Sequence, residues 1–154
     1  MVAREVWGPV TWTFFHTLAA KVKPESFPAM RAELFELIRT ACQNIPCPIC
    51  QEHAGAYMTH VYWNKIVTKD DLALMLWEFH NIVNKRLGVA QMPYEDCAAR
   101  YSRANPPVVF ATYANISSQS SVGAVSTMVS KIRRRGVAHR AWDYLAAHKD
   151  DFAP

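Results

Sequence analysis

Glycine is scarce in this chain of 154 residues, with five in all. That scarcity, with no sustained β-like alternation, argues against a turn-rich sheet protein and leaves helix as the reading throughout. Long apolar runs are missing too. None approaches the roughly 18–20 residues a membrane-spanning helix needs, so no membrane span is expected. The opening residues, MVAREVWGP, carry charge but no apolar h-region, so no secretory leader is expected. The expected location is therefore a reducing compartment, the cytoplasm. Cysteine occurs four times, at Cys42, Cys47, Cys50 and Cys97. Four are too few for the disulfide framework of a small secreted domain. No internal repeat is visible.

What is present is apolar bulk. Hydrophobic residues make up 51% and aromatics 12% of the chain, with five Trp, enough for a packed core in one folded unit. The net charge of +4 is mild, and much of the excess sits in KIRRRGVAHR, Lys131 to Arg140. Such a run can touch nucleic acid or anionic lipid. It is read here as a solvated helix face, with no nucleic-acid partner.

Breakers and caps divide the chain. A first helix is predicted from near Pro9, a first-turn proline, to Val22. A second runs from Pro28 to Ala41, with Met30, Leu34, Leu37, Ile38 and Ala41 as its apolar stripe. A third opens at Cys47-Pro48 and reaches about Met58. A fourth starts at Thr68 or Asp70, either able to cap it, and ends at Gly88. A short fifth covers Pro93 to Arg103. From Asn105 to Gly123 the composition turns to Pro, Ser and Asn and reads as a linker. Beyond it Val122, Val125, Val129 and Ile132 have helical spacing, and Trp142 to His148 form a last helix. The expected fold is all-α: a four-helix bundle plus a short fifth helix over residues 1–104, then a linker and C-terminal helical extension over 105–154.

On a wheel of about 100° per residue, Leu72, Leu76, Phe79, Val83 and Leu87 form an ordinary core stripe. Trp77, His80, Asn81 and Asn84 fall on a neighbouring stripe. Either they make inter-helix hydrogen bonds, or they line a polar ligand lying along the helix. Trp12 and His16, four apart, share a face of the first helix. Two aromatic-plus-histidine stripes in one small bundle favour a large planar guest.

The stretch NIPCPICQEH, Asn44 to His53, holds a Cys-x-x-Cys at a helix start. Free N–H groups there favour thiolate, and the spacing allows a small-loop disulfide open to attack by a thiolate. Cys47, Cys50 and His53, with Cys42 or His16, are an alternative zinc set. A third reading is two inert buried thiols. A thioredoxin-like site needs a βαβ pattern, which is not visible.

Taken together, WGPVTWTFFHTLA (Trp7 to Ala19), IPCPICQEHAGAY (Ile45 to Tyr57) and WEFHNIVNKRLG (Trp77 to Gly88) resemble the Erv/ALR family of FAD-linked sulfhydryl oxidases. The order W-x3-H, C-x-x-C, H-N-x-V-N-K is specific, and the versions carried by large cytoplasmic DNA viruses are the most similar. The resemblance covers about residues 5–103. It implies a homodimer that binds FAD against Trp12 and His16, with Gly8 and Pro9 near its edge. It also implies FAD contacts from His80, Asn81, Val83, Asn84 and Lys85, and weaker ones from His53, Tyr57 and Trp77. Cys47 would take electrons from a thiol-containing protein substrate, a thioredoxin-like protein being one option. Cys50 would pass them to the flavin, and dioxygen would become hydrogen peroxide. The location implied is host cytoplasm or virion.

The chain departs from that pattern in three places. Trp77 stands where many members carry a cysteine, leaving Cys97 free or paired elsewhere, with Cys42 as one option. Val89 replaces a lysine that commonly follows Leu-Gly. The tail lacks the shuttle cysteines of some members, so substrate reaches Cys47 directly or through Cys42, which otherwise reads as buried and inert. The competing function is a non-enzymatic helical zinc-binding interaction module using Cys47, Cys50 and His53.

Overall fold

The structure, a computed structural model, describes residues 3–119 and 128–154. Its α-helices in chain order are α1 (Arg4–Lys21), α2 (Phe27–Gln43), α3 (Pro48–His60), α4 (Lys69–Arg86), α5 (Tyr94–Ser102), α6 (Pro106–Ser117) and α7 (Met128–Ala147). Short 3-10 turns cover Trp63–Lys65 and Lys149–Asp151. Among the described residues there is no sheet, only an isolated bridge between Val22 and Phe152. No helix among them is long and apolar enough to cross a membrane.

Helix α1 is the central element. Six consecutive residues, Phe14 to Ala19, are buried, because α4, α5 and α6 all pack around it. A helix enclosed on every side over those residues has no amphipathic stripe there, which is why periodicity alone reads it poorly. It also starts at Arg4, not near Pro9. Pro9 removes one N–H and the bond it would make to Glu5, but it sits on the exposed side, where water can satisfy that carbonyl. The second helix follows its predicted stripe, with Met30, Leu34, Ile38 and Ala41 buried and Leu37 partly so.

Thr68, not Asp70, caps α4. Its hydroxyl accepts from Asp71 N (3.1 Å), and the Asp71 carboxylate accepts from Thr68 N and Val67 N (both 2.9 Å). Those backbone donors hold the Asp71 carboxyl below its ordinary range. Thr68→Ala is expected to cost about 1 kcal/mol, read as a lower denaturant midpoint at unchanged slope. At the other end Gly88 takes φ +71°, the left-handed conformation a side chain resists. Val89 N then reaches Asn84 O (2.8 Å) and Gly88 N reaches Lys85 O (3.3 Å), closing the helix.

The residues expected to be a linker include a helix. Asn105 accepts from Val108 N (3.3 Å) as its cap, and Pro106-Pro107 occupy its first positions, where missing N–H groups cost nothing. Helix α6 buries Phe110 and Tyr113 in the main core. Tyr113 lies flat on Phe14, with centroids 3.9 Å apart and planes 4° apart. The chain end is clipped down as well. Lys23 N donates to Asp151 O (2.8 Å) and Ala153 N to Lys21 O (2.7 Å). Phe152 packs edge-on against Phe110 (5.1 Å).

Helix α7 is longer than the predicted Trp142–His148 segment, starting at Met128. Val129 and Ile132 lie on it but are exposed; Val122 and Val125 lie outside the described residues. Its basic run is mostly a solvated face, with Arg133, Arg135 and Arg140 exposed and Arg134 turned inward.

Candidate functional site

Cys47 is the N-cap of α3 and Cys50 lies in its first turn. Pro48 at the first helical position suits the missing N–H. The Gln51 side chain donates to Ile45 O (2.6 Å) and fixes the chain leading into the helix. Cys47 and Cys50 form a disulfide, Cα–Cα 5.2 Å. The Cys50 N–H points at the Cys47 sulfur (3.3 Å), as a helix N-terminus does towards developing negative charge. Both residues are half-buried, so the bond is reachable.

Cys50, Ala54 and Tyr57 share one face of α3, since four and seven steps of about 100° return to it. Tyr57 stacks on Phe79 of α4 (4.4 Å, 8°), and Phe79 meets Trp12 edge-on (5.0 Å). Trp12 in turn stacks on His80 (4.1 Å, 6°). The face of α3 that carries Cys50 therefore leads to an aromatic wall built by α1 and α4. Each such ring pair contributes about 0.5–1.5 kcal/mol beyond the area it buries.

The wall is polar at its inner edge. His16 Nε2 and His80 Nδ1 share a hydrogen bond of 2.9 Å, and His16 lies against Tyr101 of α5 (4.5 Å, 15°). The Cys97 sulfur is 3.7 Å from His16 Nδ1. Burial, then His80 and the Arg100 charge, lower His16 from the ordinary 6.5 to about 3. Burial and Arg100 lower His80 to about 4. Shifts of that size leave both rings neutral at pH 7, with one proton between them.

That neutrality has a consequence for stability. Between about pH 6.5 and pH 3–4 the unfolded chain binds protons that the folded rings refuse. Stability should therefore fall as pH drops through that window. In His16→Gln the slope of unfolding free energy against pH should be shallower than in wild type; an unchanged slope would place the acid sensitivity elsewhere.

The predicted stripe on α4 divides in two. His80 belongs to the wall. Trp77 Nε1 donates to Met92 O (2.6 Å), and Asn81 grips the same residue twice, through Met92 O and Met92 N (both 2.9 Å). These two side chains fasten the α4–α5 connection. Asn84 donates to Asn81 Oδ1 (3.4 Å). Val83 packs on the core, and Lys85 is exposed. Gly8 and Pro9 lie one turn before Trp12, and half-buried His53 one turn before Tyr57.

Tyr101, Met92 and the Cys97–His16 contact were not assigned from sequence. The one signal was Cys97 and Tyr101 four apart on the short helix. Cys42 and Cys97 are free and buried, so the pairing left open between them is not made. Burial pushes the Cys42 thiol up to about 12, which makes it a poor relay nucleophile at neutral pH. Among the described residues no group of three or more His, Cys, Asp or Glu is placed to hold a metal ion. Two of the three residues of the zinc alternative, Cys47 and Cys50, are joined in a disulfide here.

Comparison with known proteins bears on the same residues. Residues 9–103 match the Erv1/Alr family. The chain is 29% identical over 98 residues to a protein of Invertebrate iridescent virus 3 named as an FAD-linked sulfhydryl oxidase, covering 63% of this chain and 66% of that one. A similarly named protein of Invertebrate iridescent virus 6 is 31% identical over 100 residues, covering 57% and 85%. The FAD-linked sulfhydryl oxidase ERV1 of Arabidopsis thaliana is 28% identical over 102 residues, covering 66% and 53%. The chain thus spans just under two thirds of the first of these proteins and about half of the plant one. No solved structure matches.

Proposed function

The chain belongs to the Erv1/Alr family, and on that premise we propose that it is an FAD-linked thiol oxidase that makes disulfides in protein substrates. The observation that carries this reading is the shared face of α3. A reachable Cys47–Cys50 disulfide stands on the side of the helix that leads, through Tyr57 and Phe79, to the Trp12–His80 wall.

The residues present suit the cofactor by their chemistry. A flavin needs flat apolar contact, neutral hydrogen-bonding groups and cations for its phosphates. Trp12 and His80 offer the first, the neutral His16–His80 pair and Asn84 the second, and exposed Lys85 and Arg86 the third. Gly8, Pro9, His53, Tyr57 and Val83 complete the proposed surroundings, with Trp77 and Asn81 supporting them through the Met92 connection. What FAD supplies when bound is acceptance of two electrons and their delivery to dioxygen, yielding hydrogen peroxide.

The chain's own chemistry is thiol–disulfide exchange. A substrate thiolate attacks Cys47, the outer sulfur, forming a substrate–Cys47 disulfide and expelling Cys50 as thiolate. A second substrate thiolate attacks the substrate sulfur of that bond. It leaves as the substrate disulfide, and Cys47 is released as thiolate. Two electrons have then moved from substrate to the Cys47–Cys50 pair. The helix N-terminus stabilises each departing thiolate. Cys50, one turn further in, is the sulfur assigned to face the cofactor.

A thioredoxin-like protein is the proposed substrate, a homodimer the proposed assembly, and host cytoplasm or virion the proposed location. The test is oxygen uptake by the FAD-loaded protein with dithiothreitol. The expected result is sustained uptake, half of it returned by catalase. Protein supplied with FAD that consumes no oxygen would refute the reading.

A further inference from the structure

Cys97 and His16 are each 4% exposed, and both ring nitrogens of His16 are engaged, Nδ1 with the Cys97 sulfur (3.7 Å) and Nε2 with His80 Nδ1 (2.9 Å). A neutral imidazole carries one ring proton. The row Cys97–His16–His80 therefore has two proton arrangements. In one, S–H donates to His16 Nδ1, His16 Nε2–H donates to His80 Nδ1, and His80 keeps its proton on Nε2. In the other every bond is reversed, and His80 Nε2 is a bare acceptor.

The sulfur decides between them. Thiol sulfur is a weak acceptor, whereas an imidazole nitrogen lone pair is a good one, so S–H···N is the better bond at that end. The thiol is free, not disulfide-bonded. Burial raises its pKa against the smaller opposing pull of the Arg100 charge, so the proton stays on sulfur. Arg100, Tyr101 and Tyr94 are titratable groups beside the row, and Arg100 disfavours a second proton on either ring.

We propose that Cys97 is a positioning residue whose S–H fixes the direction of the Cys97–His16–His80 row, so that His80 presents Nε2–H as a donor. Only the last link rests on the proposed function: the acceptor that meets His80 is then an oxygen or unprotonated nitrogen of the flavin. The role belongs to this chain's free thiol.

The test is two-bond proton–nitrogen NMR of the histidine rings in the full chain, with FAD affinity measured in parallel. Wild type is expected to show His16 and His80 neutral at pH 7, each protonated at Nε2. In Cys97→Ala both rings are expected to become tautomer mixtures, and the FAD Kd to rise about 3- to 10-fold, the worth of one neutral hydrogen bond. Cys97→Ser, which keeps a donor on the same Cβ, is expected to restore both readouts towards wild type. Protonation at Nδ1 in wild-type His80, ring signals in Cys97→Ala matching wild type, or Cys97→Ser behaving as Cys97→Ala would each overturn the proposal. A wild type with the expected tautomers that binds no FAD would overturn the flavin reading and leave the proton row standing.

Discussion

Replacing Cys50 with serine is expected to abolish thiol oxidation, lowering turnover by about a thousandfold or more, as loss of a covalent catalytic group does. The pair works only as a pair. In the proposed cycle, loss of Cys50 leaves no Cys47–Cys50 bond for a substrate thiolate to open and no inner sulfur to carry electrons to the aromatic wall. Cys47→Ser should be equally inactive, but the two variants should differ in what they trap. In Cys50→Ser the thiolate of Cys47, at the α3 N-terminus, can still attack an aromatic disulfide reagent. The resulting mixed disulfide should persist, because the neighbouring thiol that would resolve it is gone. In Cys47→Ser the remaining thiol is the inner one, and adduct formation should be slower. Mass spectrometry of the intact variants reads both outcomes. Retained turnover in Cys50→Ser, or identical adduct rates in the two variants, would contradict the division into outer and inner sulfurs.

The second large effect is on stability. Tyr113→Ala should cost about 3–5 kcal/mol, the range for removing a buried aromatic ring. At about 2–4 °C per kcal/mol for a chain of this size, the melting temperature should fall by roughly 10 °C. The ring it leaves is Phe14, which is 0% exposed at the centre of the bundle. The cavity would therefore open beneath α1, the helix that carries Trp12 and His16. Val108→Ala, on the solvent side of the same helix α6, should change stability by less than about 0.5 kcal/mol. A Tyr113→Ala loss below about 1 kcal/mol would mean that α6 is peripheral after all.

The all-α fold class was legible in the sequence, as were the local patterns from which the candidate site was assembled. Cys-x-x-Cys behind a proline, W-x3-H and H-N-x-x-N each have local causes, a helix start or a repeat along one face, and a wheel or a spacing exposes such causes. Helix α6 was hidden by its own cap: Pro106-Pro107 signals a break in the sequence, yet suits the first turn that Asn105 begins. The mid-helix Pro9 misled in the same way. The split of the α4 stripe could not be read, because the partner of Trp77 and Asn81 is the backbone of Met92, and backbone leaves no mark in composition. The contact of Cys97 with His16 joins residues 81 apart, a separation no local pattern spans.

In the proposed cycle electrons pass from the Cys47–Cys50 pair to a flavin held at the wall of Trp12, His16 and His80. The most direct measurement is an anaerobic titration of the FAD-loaded protein with dithiothreitol, following the visible flavin band in wild type and in Cys50→Ser. Bleaching of the band in wild type within the first equivalents, with the variant's band left standing, is the expected result. A variant that bleaches as fast as wild type would mean that the dithiol is not on the path.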